Sequence, residues 1–276
     1  MNARTDLIDI DSPYPLARDE VARFADQGYI KLRDVLSPAT LRHYGAEITR
    51  LTVVLATQNM PLGERGTYDK AFLQVMNLWQ SSAIVRELVL SRRLGQIATE
   101  LLGVSGVRLY HDQSLYKEPG GGITPAHADQ YYWPLVSDRV ATAWIPLQPV
   151  PQHKGPLGFY ARSQHVEFGR ELGISDESER EITRHMEASG FELREEPFEL
   201  GEVSFHLGWT FHRAGVNAST EPRSVMTVIY MDAAMRLKEP VNPMQHADWQ
   251  RWCPGARIGE PIATPLNPLI YERDSR

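Results

Sequence analysis

Apolar positions recur at helical spacing through the first hundred residues and then switch to alternation. Val21, Phe24 and Ala25 share one face of a helix that Gly28 is placed to stop, and Tyr29 to Arg33 reads as a short strand. Ser37 and Pro38 form an N-cap followed by a first-turn proline, opening a helix with the stripe Leu41, Tyr44, Ile48, Leu51 and Leu55. Ser91 caps another helix, carrying Leu94, Ile97, Ala98, Leu101 and Leu102, which ends at Gly103. Residues 15–103 therefore predict a helical buttress.

From Val104 to about Asp232 the period is two. Val107–Lys117, Val140–Leu147, Phe198–Phe211 and Ser224–Met231 read as strands separated by Gly, Pro and Asn turns. Strands without intervening helices predict a sandwich or jelly roll over 104–232 rather than a doubly wound sheet. Residues 166–196 interrupt them with a charged stretch, read as a helical insertion capped by Ser178 and Glu181. The proline-rich tail, 233–276, is expected to wrap the surface. No repeat or low-complexity tract breaks the chain, so 1–276 is expected to form one domain.

Composition narrows the partners. A net charge of -6 over 276 residues, with no basic run longer than Arg92–Arg93, disfavours nucleic acid, which demands concentrated Lys and Arg. Cys253 is the only cysteine, so neither an intrachain disulfide nor an all-cysteine metal site is available, as suits a reducing compartment. Met1 to Asp11 lacks an apolar signal core, and no apolar run is long enough for a membrane span. The expectation is a cytoplasmic protein with no membrane and no nucleic-acid partner.

Four segments carry candidate chemistry. In extended backbone His127 and Asp129 point the same way, and an imidazole with a carboxylate suits Fe(II), Mn(II) or Zn(II). Across 202–212, Val203, Phe205, Leu207 and Phe211 share one parity, while Ser204, His206, Thr210 and His212 share the other. Parity leaves either His206 or His212 as a third ligand. Ala214–Asn217 then reads as a hairpin that sets Arg223 beside His212, where a guanidinium can hold a carboxylate at a fixed distance from a metal. Finally, Ala141, Ala143, Ile145 and Leu147 form an apolar face, which turns Thr142 and Trp144 into a cavity.

These segments resemble the phytanoyl-CoA dioxygenase family of Fe(II)/2-oxoglutarate oxygenases. The resemblance rests on "LYKEPGGGITPAHADQYYWPL", "TAWIPLQPV", "GPLGF", "FHLGWTFHRAGVNASTEPR" and "VIYMD", with "FADQGYIKLRDVLSPATL", "FLQVMNLW" and "IATELLG" upstream. It runs from about Val21 to Asp232, with Asn217 five and Arg223 eleven residues beyond His212. It implies a double-stranded β-helix with N-terminal helices and a triad of His127, Asp129 and His212. Arg223 would bind the distal carboxylate of 2-oxoglutarate, beside Thr142, Trp144 and Gln113, and His206 would be a non-ligand histidine. Two positions depart from the family: Ala214 stands where a hydroxyl residue is common, and Arg162 lies in "ARSQH" where a Gly-Ser-His turn is usual.

The implied chemistry consumes 2-oxoglutarate and O2, yields succinate and CO2, and oxidises a C–H bond of a small molecule. Related halogenases leave the carboxylate position open for chloride, so Asp129 points to hydroxylation or desaturation. Candidate substrate contacts are Tyr131 and Trp133 on alternate positions after the metal motif, Gln74, Asn77 and Trp79 in "LQVMNLW", and Arg162 with Lys117 for an anionic group. The 166–196 insertion reads as a lid. Two other classes compete: a cupin-like isomerase, lyase or dioxygenase that does not use 2-oxoglutarate, and a non-catalytic binding protein. The spacing of Arg223 from His212 speaks against the first, and the intact triad against the second.

Overall fold

The computed structural model describes residues 7–273, so part of the Met1 to Asp11 reading lies outside the described residues. The helices are α1 (Arg18–Gln27), α2 (Pro38–Leu55), α3 (Thr67–Ala71), α4 (Ala83–Val89), α5 (Arg92–Leu102), α6 (Asp176–Ala188) and α7 (Pro243–Trp252). The strands are β1 (Tyr29–Leu32), β2 (Leu73–Met76), β3 (Gly106–Lys117), β4 (Thr124–His127), β5 (Val140–Pro146), β6 (Leu157–Tyr160), β7 (Leu193–Glu195), β8 (Val203–Leu207), β9 (His212–Ala214), β10 (Arg223–Asp232) and β11 (Leu269–Glu272).

All named strands pair antiparallel. The larger sheet runs β1-β8-β5-β10-β3-β11, with β2 also on β3, and the smaller runs β4-β9-β6-β7. Between β3 and β10 the chain passes repeatedly from one sheet to the other, which is the winding of a double-stranded β-helix. The outer face of the larger sheet carries Ala141, Ala143, Ile145, Phe205, Met226, Val228 and Tyr230, packed against Leu41, Ile48, Val85, Leu94 and Ile97 of the N-terminal helices. That burial leaves Thr142, Trp144, Ser204, His206 and Thr227 on the inner face, where strand alternation turns them toward the smaller sheet.

The predicted caps at Ser37 and Ser91 form: their hydroxyls accept from the backbone N–H of Thr40 and Leu94. The capping box of the insertion is displaced. Ser175 caps α6 and pairs reciprocally with Ser178, because Asp176 and Glu177 already favour the first turn over a start at Ser178. The insertion also ends in β7, which adds to the smaller sheet beside β6.

Three further features differ from the sequence expectations. The strand expected over Phe198–Phe211 holds only over Val203–Leu207, because 208–211 crosses between the sheets. The Ala214–Asn217 connection is likewise no hairpin within one sheet, since β9 and β10 lie in different sheets. The tail does more than wrap the surface: it folds into α7 and adds β11 to the edge of the larger sheet. No helix among the described residues is long and apolar enough to cross a membrane.

Gly28 locks the first helix to the crossing segment. It takes φ +79°, and its carbonyl accepts from the Thr210 hydroxyl at 2.7 Å. A Cβ there would collide with Gln164 Oε1 and Thr210 Oγ1. Gly28→Ala is expected to cost about 2 kcal/mol or more, combining left-handed strain with overpacking. Urea unfolding measures this, and a loss below about 0.5 kcal/mol, the range of an ordinary surface substitution, would contradict the account.

Candidate active site

His127 ends β4 and His212 begins β9, and the two are direct cross-strand partners. Their rings lie 4.2 Å apart. Extended backbone at Ala128 sets Asp129 on the same side as His127, at the start of a 3-10 turn over Asp129–Tyr132. Ligand atoms of His127, Asp129 and His212 all lie within 4.8 Å of one another, a group able to hold a metal ion.

The surroundings fit that use. His127 Nδ1 meets the Pro125 carbonyl at 2.7 Å, and His212 Nδ1 meets the Thr210 carbonyl at 2.9 Å. Each contact assigns the ring proton to Nδ1 and leaves Nε2 as a lone-pair donor facing Asp129. The Nε2 atoms of His127 and His212 lie 3.5 and 3.7 Å from Asp129 Oδ1. Asp129 Oδ2 accepts from the Thr142 hydroxyl at 2.9 Å and lies 3.2 Å from His206 Nε2. Thr142 and His206 thus hold one carboxylate oxygen while the other points into the group.

Electrostatics set the protonation states a metal requires. Burial alone would push the Asp129 carboxyl up, but His212, His127 and His206 outweigh it and hold the group well below the usual range. Burial, reinforced by His127 and His206, depresses His212 and keeps it neutral. An ionised carboxylate beside neutral imidazole is the ligand state that divalent metals bind.

A cavity of about 420 Å³ opens onto this group, within the range of small-molecule sites. Gln74, Gln113, Thr142, Trp144, His206, Trp133 and Arg223 all line it, as do several apolar side chains. Gln74 donates to Gln113 Oε1, fixing β2 against β3. Arg223, the first residue of β10, is 2% exposed and lies over the Trp144 ring at 5.4 Å. Its Nη1 donates to the Gly155 carbonyl at 2.6 Å, while its buried Nε has no partner. Gly155 reaches this position at φ +66°, where a Cβ would strike the Gly215 carbonyl. Burial pushes Arg223 down to about 10, so it stays charged at neutral pH with no carboxylate beside it among the described residues.

Other candidates lie elsewhere. Asn77 takes a left-handed turn (φ 50°) with its side chain toward the backbone N–H of Asp112, and Trp79 packs in the helical core beneath Arg86. Met76 lines the cavity in their place. Tyr131 is replaced by Tyr132, because 129–132 is helical and strict alternation fails there. Arg162 is exposed and pairs with Asp26 at 2.8 Å on the surface. Lys117 is fully buried, its Nζ donating to the carbonyls of Gly122 and Gly215 at 2.6 and 2.7 Å. Asn217 completes this brace, donating to the carbonyls of Lys117 and Glu221 on the approach to Arg223.

The insertion read as a lid is anchored. Glu179 of α6 accepts from the Ala126 N–H at 2.7 Å and pairs with Arg213, while Ile182 and Met186 pack on Ala126 and Phe211. Only Ile174, ahead of the helix, reaches the cavity. Residues not anticipated from the sequence include His111, Tyr68 and the α7 residues Met244, Asp248, Arg251 and Trp252. His111 shares strand parity with Gln113, a signal that alternation alone offers. The reach of α7 has no local signal.

An antiparallel double-stranded β-helix whose inner face converges on a metal-competent His-Asp-His group falls in the class of jelly-roll metalloenzymes. Comparison with known families narrows the class: residues 24–225 match phytanoyl-CoA dioxygenase (PhyH), and the chain belongs to this family of non-haem iron/2-oxoglutarate oxygenases. Methylphosphonate hydroxylase of Gimesia maris is 24% identical over 223 residues, covering 78% of this chain and 80% of that protein. The non-haem α-ketoglutarate-dependent carbocyclase SnoK of nogalamycin biosynthesis is 25% identical, with TM-score 0.77 over 94% of this chain and all of that one. The epimerase SnoN, solved with Fe3+, α-ketoglutarate and nogalamycin RO, is 26% identical, with TM-score 0.72 over 92% of this chain and 98% of its own.

Two outcomes are expected here. Thr142→Val removes the hydroxyl that holds Asp129 Oδ2 and should weaken Fe(II) binding by about tenfold or more, read by anaerobic equilibrium dialysis. Unchanged affinity would show that the hydrogen bond is idle. Burial, with the neighbouring Arg223 charge, pushes Lys117 from 10.5 down to about 6. Between those values the unfolded chain holds a proton that the folded chain lacks, so this group's contribution to stability rises with pH. Lys117→Met should flatten the rise between urea unfolding at about pH 6.5 and about pH 9, and an unaltered slope would remove Lys117 as its source.

Proposed function

We propose that this protein is a 2-oxoglutarate-dependent oxygenase of a small-molecule C–H bond, with His127, Asp129 and His212 holding Fe(II) and Arg223 receiving the distal carboxylate of 2-oxoglutarate. The observation that carries the reading is the Arg223 guanidinium, buried at 2% exposure on the cavity wall with no anionic partner. A buried charge left unpaired is costly, and a bidentate carboxylate is its natural complement. Family membership supplies the carboxylate's identity.

Iron with 2-oxoglutarate and O2 supplies the oxidising power, converting the two cosubstrates into succinate and CO2 as a C–H bond is oxidised. The protein's own groups bind and orient. Arg223, seated on Trp144 and steadied by the Gly155 carbonyl, fixes one end of the oxo acid, with Gln113 and Thr142 beside it. Thr142 and His206 keep the Asp129 carboxylate in one rotamer. Phe72, Trp133, Leu157 and Ala214 add apolar wall that limits water near the reacting centre. With a carboxylate at Asp129 in place of the small residue that a halide would need, hydroxylation or desaturation is the proposed outcome.

The test is an anaerobic titration with Fe(II) and 2-oxoglutarate, following the visible charge-transfer band. Wild type should develop the band, and Asp129→Ala should lose succinate formation altogether. Arg223→Met should weaken 2-oxoglutarate binding by at least about a hundredfold, the effect of removing one member of a buried, charge-assisted pair. Its urea stability should change by no more than about 1 kcal/mol, because the variant also removes an unpaired buried charge. Iron binding without any band would overturn the cosubstrate assignment and revive the cupin-like reading.

A further inference from the structure

The cavity extends well beyond the neighbourhood of Arg223. Along the β3/β10 pair, Arg223 faces Lys117 and Ile229 faces His111. Six residues of strand separate the two places, roughly 20 Å of backbone. The far end lies under α7, which is drawn over the cavity by Asn242 and Gln245, both donating to the Tyr131 carbonyl. Trp252 of α7 stacks obliquely on His111, with centroids 5.2 Å apart.

Two polar groups at that end have unused acceptor capacity. His111 is 4% exposed, lines the cavity, and has a buried Nδ1 with no hydrogen-bond partner. His111 pairs with Ile229 and reaches the inner face by the same parity as Gln113, and the β-bulge opposite Ile229 and Tyr230 leaves Tyr110 as the extra residue beside it. Burial pushes His111 down to about 4, so at neutral pH it is an uncharged ring with one acceptor nitrogen.

Asp248 also lines the cavity and is half-buried. It accepts from the Tyr110 hydroxyl at a long 3.5 Å, and the Trp252 side chain also hydrogen-bonds to it. Arg251, one helical turn on, is the expected ion-pair partner, but its guanidinium lies over the Trp252 ring at 5.4 Å and is exposed to solvent that screens it. The carboxylate therefore faces the cavity without a cation in contact. Burial pushes it up to about 7, outweighing the opposing pulls of Trp252, Arg251 and Tyr110.

We propose that the α7 end of the cavity recognises an amine-bearing substrate, with Asp248 receiving the ammonium and His111 accepting one of its N–H donors. An ammonium offers three donors, and the unused lone pairs of Asp248 and His111 at this end take two of them. The rings of Tyr68, Tyr132 and Trp252 add faces that attract a cation and pack an apolar body. Arg251 at the rim opposes a second cation, which favours one amine held inside over a polyamine. The inference deepens the oxygenase reading and rests on it: the amine is held at one end so that a C–H bond along the same molecule reaches the metal group.

The experiment uses holoenzyme loaded anaerobically with Fe(II) and 2-oxoglutarate, titrated calorimetrically with 3-phenylpropylamine and, separately, with the alcohol 3-phenylpropan-1-ol. Wild type should bind the amine about tenfold or more tightly than the alcohol, the margin of one charge-assisted hydrogen bond. Asp248→Asn should erase the preference while the charge-transfer band persists, and His111→Phe should reduce it in part. Equal binding of amine and alcohol by wild type, or no amine binding, overturns the proposal without needing any variant. An undiminished preference in Asp248→Asn overturns it as well. A missing band with amine preference intact would instead strike the cosubstrate assignment alone.

Discussion

The pairing of β4 with β9 puts His127 directly opposite His212, and the rest of the site is arranged around that register. A slip of either strand by one residue would turn its imidazole to the other face of the smaller sheet, away from its partner. The crossing segment 208–211 prevents the slip from both sides. Thr210 is tied to Gly28 and its carbonyl meets His212 Nδ1, while the Phe211 N–H donates to Ser163 at 2.9 Å. The metal group is thus specified by backbone pairing and short anchors rather than by attraction among its ligands, which include a mutually repelling set of imidazoles whenever they are protonated.

Charge on the inner face is distributed under a second constraint. Buried ionised groups persist only where something compensates them. Around Asp129 the protein supplies compensation in three histidines and a hydroxyl. At Arg223 it supplies one carbonyl and an aromatic face, and leaves the rest to a ligand. Lys117, on the neighbouring strand, resolves the same difficulty by a lowered proton affinity: a neutral amine still has two N–H donors for the Gly122 and Gly215 carbonyls. The two basic side chains therefore play different parts, Arg223 electrostatic and Lys117 mechanical, though they are cross-strand partners.

How much of this is legible in the sequence follows from how local each signal is. The helix caps at Ser37 and Ser91, the alternation in β5 and the His127/Asp129 pair depend on residues within a few positions, and each reappears in the structure. The choice between His206 and His212 depends on which sheet each strand joins; both reach Asp129, but only His212 belongs to the metal-competent group. Parity points Tyr131 at the cavity, but a single 3-10 turn breaks the two-residue period and Tyr132 lines it instead. Asn77, Trp79 and Arg162 neighbour motif residues in sequence, but their own backbone torsions or packing turn them elsewhere. Asp248 lies over a hundred residues from the metal motif and meets the cavity only through the docking of α7, which no periodicity announces.

The two ends of the cavity are consequently held by different means. Arg223, Thr142, Trp144 and the triad sit on paired strands or beside them, inside a sandwich buttressed by helices on one face and α6 on the other. The far wall is assembled from separate pieces: Tyr68 of α3, Ile174 ahead of α6, and four residues of α7. Of these pieces, α7 is positioned largely by side chains reaching the Tyr131 carbonyl and by its own packing against Tyr110 and Trp133. Substitutions in these outer pieces can reshape the wall without disturbing strand register. Groups that must be placed to fractions of an ångström are therefore carried by the sheet, and groups that select a substrate by charge and shape are carried by segments laid over it.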